Sequence, residues 1–471
     1  MRINLVVTAL ILGVANWAAG SSLWTYSMPS GIEASSRFHV RVRGDSGAWR
    51  DSPVYRSTDQ LNANREAAWT TFSFTDAVEI EVVSVCDPIS HVTIRPKAYQ
   101  VVHTQEGNRI HLTLRRPQKL CLEINNSSTH PLFIFADPPE QSPPDKAEKN
   151  TVFFPPGIHD IGDKYPLRSN TTYYLAGGAY VRGSFYATDM VENVTVRGRG
   201  ILDSGHQKWN HPTAGMQSNI CFVDGRNITL EGITAIEAGN FQIKLQVKQP
   251  DTASTFSNLK LFGWNRNSDG IHVSDGNWGD HTVVGNATGT KIVVRDCFVM
   301  ANDDCVLVCD GVAESIVRNC VFWDNGYGAT FCLSWMGHQD VKSSRIKGCH
   351  VIHKDGKNPV FRAQHAGEAR IRNVLIEDVT VEGDIKTLVG LRITDHGYDR
   401  DEGHGSIDNV TFRNVTVEGQ VGTNWILGYD DNSRISGIHF ENLRIDGKCI
   451  LEKRAMNLKV NEHAQNVSFG R

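Results

Sequence analysis

Ile292-Val293-Val294-Arg295-Asp296-Cys297 is followed by Ser315-Ile316-Val317-Arg318-Asn319-Cys320 and then by Ser344-Arg345-Ile346-Lys347-Gly348-Cys349. Each stretch alternates apolar and polar residues, reaches Asp, Asn or Gly, and closes on a small apolar residue. That pattern predicts a half-buried strand running into a bend. Looser copies lie on either side: Asn227-Ile228-Thr229-Leu230-Glu231-Gly232-Ile233, Leu259-Lys260-Leu261-Phe262-Gly263-Trp264, Val374-Leu375-Ile376-Glu377-Asp378-Val379, Val410-Thr411-Phe412-Arg413-Asn414-Val415 and Ile438-His439-Phe440-Glu441-Asn442-Leu443. The copies end at 233, 264, 297, 320, 349, 379, 415 and 443, in steps of 23 to 36 residues. A loose period of this size means stacked coils. The copies are rich in β-branched residues and lack helical periodicity. They also lack the Leu-x-x-Leu-x-Leu frame of leucine-rich repeats, and each holds too few strands for a propeller blade. The expectation is an all-β chain built on a right-handed parallel β-helix. Val, Ile, Leu and Cys fill its interior, and Asn and Gly take its bends. Cys297, Cys320 and Cys349 then form an internal stack, and Trp264, at the closing position of its copy, is read as inward.

Upstream the pattern changes. Phe38-His39-Val40-Arg41-Val42, Glu79-Ile80-Glu81-Val82-Val83, His91-Val92-Thr93-Ile94 and Ile110-His111-Leu112-Thr113-Leu114 alternate strictly, and Leu120–Ile124 and Pro131–Phe135 close the series. Short antiparallel strands at this spacing predict a β-sandwich. The Pro-rich stretch Ala136–Pro144 reads as a linker. The first residues combine Arg2, an apolar run from Leu5 to Ala15 and small residues at Ala18 and Gly20, the signature of a secretory signal peptide. The expected organisation is therefore a signal peptide at 1–20, a sandwich domain at 21–145 and a β-helix at 146–471, in a secreted protein, extracellular or periplasmic. No other apolar run is long enough to span a membrane.

Charge is balanced, 48 Lys and Arg against 52 Asp and Glu, which argues against a nucleic-acid partner. The 18 His and ten Cys show no metal-ligand spacing, so no metal and no cofactor are expected. Export permits disulfides. Cys305 with Cys309 and Cys86 with Cys121 are candidate pairs, and the sequence leaves them open. Asn-x-Thr sites at Asn193, Asn227, Asn286, Asn409 and Asn414 fall mostly within the repeats and are read as turn positions rather than glycan acceptors.

Two acidic motifs carry the chemistry: Asn267-Ser268-Asp269-Gly270-Ile271 and Asn302-Asp303-Asp304-Cys305. Asp269 lies five residues after Trp264; Asp303 and Asp304 lie six and seven after Cys297. Matching places on neighbouring coils are roughly 4.8 Å apart, so the three carboxyls should converge on one outer face. A lone Asp-Gly after a strand is usually a turn; three carboxyls in register are harder to explain that way. Crowding should raise at least one of their pKa values and supply an acid. Acid plus base is what glycosidic hydrolysis requires.

These motifs resemble the polygalacturonase group, glycoside hydrolase family 28, and more closely family 49, the dextranases and isopullulanases. The family 49 likeness extends to Leu132-Phe133-Ile134-Phe135-Ala136, Phe153-Phe154-Pro155-Pro156-Gly157-Ile158, Leu175-Ala176-Gly177-Gly178-Ala179-Tyr180-Val181-Arg182-Gly183, and Ser334-Trp335-Met336-Gly337-His338-Gln339-Asp340 with Val351-Ile352-His353. Asn302 also fits family 49, where family 28 has Gln. The resemblance implies a β-helix and inversion across carboxyls roughly 6.5–9.5 Å apart; family 49 adds an N-terminal sandwich. It implies Asp303 as general acid, with Asp269 and Asp304 activating or orienting water. Two departures from family 28 stand out. Its Gly-His-Gly appears as Gly326-Tyr327-Gly328. Its uronate-gripping Arg-Ile-Lys, in register, reads Arg362-Ala363-Gln364 rather than the tempting Arg345-Ile346-Lys347.

Loss of the Lys favours a neutral glycan. Tyr327, Trp335, His338, Arg362 and Gln364 are the candidate substrate-binding residues, with His365 a weaker one. The extra stretch His272–Thr290, carrying Trp278, Asp280 and His281, is a candidate wall of the cleft. The leading expectation is an endo-acting hydrolase of a neutral α-glucan such as dextran, with a polysaccharide as its partner. The alternatives are hydrolysis of a pectic or sulfated glycan, a polysaccharide lyase, and a non-catalytic glycan-binding β-helix.

Overall fold

The computed structural model describes residues 22–471 apart from 45–46, 60–61, 63, 147, 206–217, 276–286 and 396–402. The expected signal peptide, the residues Trp278, Asp280 and His281 of the candidate wall, and Asn286 lie outside the described residues.

The N-terminal part is a sandwich of a six-stranded and a five-stranded sheet. Between them lie Val40, Val42, Phe72, Ile80, Leu122 and Ile134. Phe38–Gly44 alternates buried and solvated positions because it covers the core with one face only. Leu132–Asp137 is buried at every position. Its second face carries Phe133 and Phe135, which leave the sandwich and pack on the β-helix. One strand pairing departs from the antiparallel expectation: Leu132–Asp137 runs parallel to Glu66–Phe74. The last sandwich strand ends at Asp137 and the first coil strand starts at Thr151.

From there the chain winds as a right-handed parallel β-helix with three faces. The first face is a twelve-stranded sheet from Thr151–Phe154 to Ala464–Gly470. Its inward column reads Phe256, Val294, Val317, Ile346, Ile376, Phe412, Phe440 and Phe469, each paired with the next. Phe412, Phe440 and Phe469 stack with centroids 5.0 and 4.8 Å apart, the spacing of the strands themselves. The bend after this face needs a left-handed backbone. Asn258, Asp296, Asn319, Gly348, Asp378, Asn414 and Asn442 supply it at φ between 50° and 60°, since short polar side chains and Gly tolerate that region. The residues after them, Cys297, Cys320 and Cys349, turn into the interior.

This column corrects one repeat. Lys260 pairs with Phe298, so Leu259, not Trp264, is the counterpart of Cys297. The copy is Thr255-Phe256-Ser257-Asn258-Leu259. Trp264 is buried but not inside the helix. It packs against the sandwich and donates its Nε1–H to Ser57 Oγ at 2.7 Å.

Asn193, Asn227, Asn409 and Asn414 are left-handed turn residues whose amides donate to Asn170, Asn193, Asn373 and Asp378 on the preceding coil, at 2.8–3.2 Å. All ten Cys are free thiols, so neither candidate pair is bridged. Cys309 lies 3.1 Å from Ser344 Oγ instead.

The second face is covered. Phe262, Phe298, Met300 and Trp323 meet Trp69, Phe133 and Phe135 of the sandwich, and Lys260 Nζ reaches the buried Asp137 at 2.6 Å. Among the described residues, no strand residue of the third face enters that contact with the sandwich. No helix among the described residues is long and apolar enough to cross a membrane.

Candidate active site

Each coil crosses from the second to the third face through a loop, and the acidic motifs are two such loops. Ile271 pairs with Val306. Gly270 N–H donates to Asp304 O at 2.9 Å and Ile271 N–H to Cys305 O at 3.0 Å. The motifs therefore lie over one another, with Asp269 beside Asp304. Convergence holds although the count from the preceding repeat was off, because the loop after Phe262 is longer than the one after Ala301. Asn302 ties the layers: its Nδ2–H donates to Trp264 O at 2.8 Å and its backbone N–H to Ser268 Oγ at 3.2 Å. Gly328 on the next coil has to be glycine, since a Cβ there would fall 2.1 Å from the Asp303–Asp304 peptide.

Asp269 and Asp304 are buried, and Asp303 is the most open of the three. Their partners differ. Asp304 accepts Arg362 Nη2–H at 2.8 and 2.5 Å and Ala329 N–H at 2.7 Å. Asp269 Oδ2 lies 2.9 Å from His272 Nδ1. Among the described residues Asp303 accepts only the Asp304 N–H, at 3.0 Å. Burial, then Asp269 and Asp304, push Asp303 up to about 9, against a partial offset from Arg362. Burial and Asp304 raise Asp269 as well. Burial holds His272 down at about 4, so its ring is neutral near pH 7.

The three carboxyls open into a cleft of about 340 Å³. Five of the six candidate substrate-binding residues line it: Tyr327, Trp335, His338, Arg362 and Gln364. Tyr327 is 52% exposed and marks the rim. The Arg362 guanidinium lies 4.7 Å over the Trp335 ring while holding Asp304, which ties it to the protein rather than leaving it for an anionic ligand. His365 is fully buried between Ser334 Oγ and Ala369 O and does not reach the cleft. Arg345 and Lys347 pair with Glu377 on the first face, away from the site.

The sequence reading gave no role of their own to His272 and Asp275, which fall in the candidate wall, or to Asn267 of the first motif, and it missed Phe241, Asn358 and Asp310; all six line or underlie the cleft. One signal was available: Asp275 follows Asp269 by six residues, and Asp310 follows Asp304 by six, each before a Gly.

A larger groove, about 1030 Å³, runs along the other flank of the sandwich. Its Arg199 and Arg295 are tied to Glu231 and Asp296, and it offers no cluster of carboxyls, so the chemistry belongs to the smaller cleft. Among the described residues no group of three or more His, Cys, Asp or Glu could hold a metal.

The sequence model of Glycosyl hydrolases family 28 matches residues 161–465. The chain belongs to that family. Among solved structures it is similar to Dex49A from Penicillium minioluteum, at 16% identity over 96% of this chain and 97% of that one, with a TM-score of 0.66. That likeness shows the same architecture, sandwich included. A polygalacturonase from Erwinia carotovora ssp. carotovora covers 65% of this chain and 87% of its own, at 15% identity and a TM-score of 0.42. No protein of curated function matches. The kinship read from the motifs, to the related families 49 and 28, stands: the chain is a β-helical glycoside hydrolase.

Proposed function

We propose that this glycoside hydrolase is secreted, acts within polysaccharide chains by inversion, and takes a neutral α-glucan such as dextran. The observation that carries the reading is the unequal support of three crowded carboxyls beside an open cleft. Asp303 has the least hydrogen bonding and a raised pKa, so it holds a proton at neutral pH and serves as general acid. It delivers that proton to the glycosidic oxygen as the bond to the anomeric carbon breaks. Water attacks that carbon from the opposite side, and its proton passes to Asp269 or Asp304. Arg362 supports charge on Asp304, and the neutral His272, donating from Nδ1, supports charge on Asp269. Since Asp269 acts directly on Asp303, the apparent values belong to that pair rather than to either residue.

Endo action is supported by the reach of the cleft. Its lining comes from five successive coils, those of Phe241, Asp269, Asp304, Tyr327 and Arg362, which spans about 19 Å along the axis and suits a chain better than one sugar. A neutral substrate is supported by Gln364 and by the commitment of Arg362 to Asp304. A pectic or sulfated glycan is the second reading, favoured by one observation: exposed Arg266 lies 5.2 Å over the Tyr327 ring at the rim. Secretion rests on the N-terminal sequence signature.

The test is product analysis after incubation with dextran, pullulan and pectin, with the anomeric configuration followed by nuclear magnetic resonance. New reducing ends in the inverted configuration from dextran are expected. Cleavage of pectin alone would overturn the neutral-glucan reading. Gln364→Lys should then improve use of a uronate polymer by about tenfold or less, the worth of one partly solvated ion pair.

A further inference from the structure

Asp275 and Asp310 have no part in the proposed reaction, yet both are buried beneath one wall of the cleft. They stand at the far ends of the two third-face strands that begin at the acidic motifs, and Asp275 N–H donates to Asp310 O at 3.1 Å. Above them runs the segment Trp335–Gln339, which enters no strand. Its backbone donors point down. Asp310 Oδ1 accepts Trp335 N–H and Met336 N–H, each at 3.0 Å, and the Ser334 hydroxyl at 3.4 Å. Asp275 Oδ2 accepts His338 N–H at 3.1 Å and Gln339 N–H at 2.8 Å. Four successive peptide donors, interrupted only at Gly337, thus end on two carboxyls that come from the coils of Asp269 and Asp304.

The backbone makes room for this arrangement. Gly311 has φ +73, and a Cβ on it would fall 1.9 Å from the Asp275 carboxyl. Two buried acids side by side are costly unless every oxygen is used or a proton is shared. Burial and the neighbouring Asp310 push Asp275 up to about 7, so this cost has not been removed. Apolar residues packed under the same segment would avoid it. What carboxyls supply and apolar residues do not is directional acceptors, which fix the height and rotation of each peptide in the wall.

We propose that Asp275 and Asp310 are positioning residues that clamp Trp335–Gln339 as the wall of a sugar-binding subsite next to the acid cluster. The segment puts Trp335, Met336 and His338 into the cleft, an aromatic face with a polar neighbour, the combination that seats a pyranose ring. The subsite half of the proposal rests on the glycosidase reading. The clamp half does not.

The experiment therefore has two readouts on the full chain. Hydrogen exchange by mass spectrometry on peptides spanning 334–340 should lose protection by about tenfold or more in Asp310→Ala, and likewise in Asp275→Ala, because each removes acceptors worth more than a typical hydrogen bond. Asp310→Asn, which keeps an acceptor oxygen, should retain it. Kinetics on the polysaccharide that the wild type cleaves should show KM rising about tenfold in the alanine variants with kcat within about twofold. Unchanged exchange in both alanine variants overturns the clamp. Lost protection with KM unchanged, or with kcat falling instead, overturns the subsite. Should Asp310→Ala fail to fold, Asp275→Ala and the two asparagine variants give the same contrast. A wild type that neither binds nor cleaves any of the glycans overturns the subsite together with the reading it rests on, while exchange still decides the clamp.

Discussion

Two sets of aspartates occupy the same two coils, Asp269 and Asp304 each six residues before Asp275 and Asp310, yet their surroundings make them different objects. Asp275 and Asp310 are roofed by a loop whose peptide N–H groups occupy their oxygens. Asp269, Asp303 and Asp304 face a cleft, and the proteins' own donors reach two of them well and the third hardly at all. Residue type and stacking are shared. The difference lies in whether the acceptors are already spent. A filled acceptor fixes geometry, whereas an unfilled one, on a group pushed toward protonation, has a proton to give.

The largest way to break this comparison is at the unfilled acceptor. Asp303→Asn removes the proton and keeps the shape. We expect kcat to fall by about 10³-fold or more, with the circular dichroism spectrum unchanged and binding of the intact polysaccharide retained. Activity within tenfold of wild type would move the acid elsewhere.

Next in size is Arg362, the cation hydrogen-bonded to Asp304. Arg362→Met would leave Asp304, whose side chain is 9% exposed, without its guanidinium. Breaking a buried pair from one side costs about 3–5 kcal/mol. Denaturant melts should show a loss of that order, with kcat falling alongside. A stability change below about 1 kcal/mol would mean that solvent already screens the pair.

How much of this was legible from the chain follows the same division. The β-helix was readable because its bends and inward positions are local and repeat, as in the Asp296-Cys297, Asn319-Cys320 and Gly348-Cys349 series. The acid motifs were readable because strand, loop and acid are contiguous in sequence. Partners across coils were not. Asp304 and Arg362 are 58 residues apart, and Asp275 and His338 are 63 apart. Coil lengths vary too much for spacing to bring such pairs together. Only the family resemblance put Arg362 in register. Trp264 was misplaced for a related reason: a bulky apolar residue after a Gly resembles an inward position until a second domain is there to cover it. The docking face of the sandwich did leave a trace, the unbroken apolar run Leu132-Phe133-Ile134-Phe135, which alternation could not explain.

The most direct comparison of the two sets titrates both in the same folded chain. Asp303, facing Asp269, Asp304 and Arg362, sits at about 9. Asp275, facing Asp310 and His338, sits at about 7. Both are raised above the unfolded carboxyl value near 4. A raised carboxyl holds its proton longer folded than unfolded, so its contribution to stability is full below about pH 4 and is lost as pH rises toward the folded value. Replacing the acid with Asn removes that loss. Relative to wild type, Asp275→Asn should gain stability between about pH 4 and 7 and then level off. Asp303→Asn should go on gaining up to about pH 9. Thermal melts from pH 4 to 9 would read this as differences of roughly 2–4 °C for each kcal/mol. Two curves that level off at the same pH would mean that the open and the roofed carboxyls feel the same field. The contrast between them would then rest on hydrogen bonding alone.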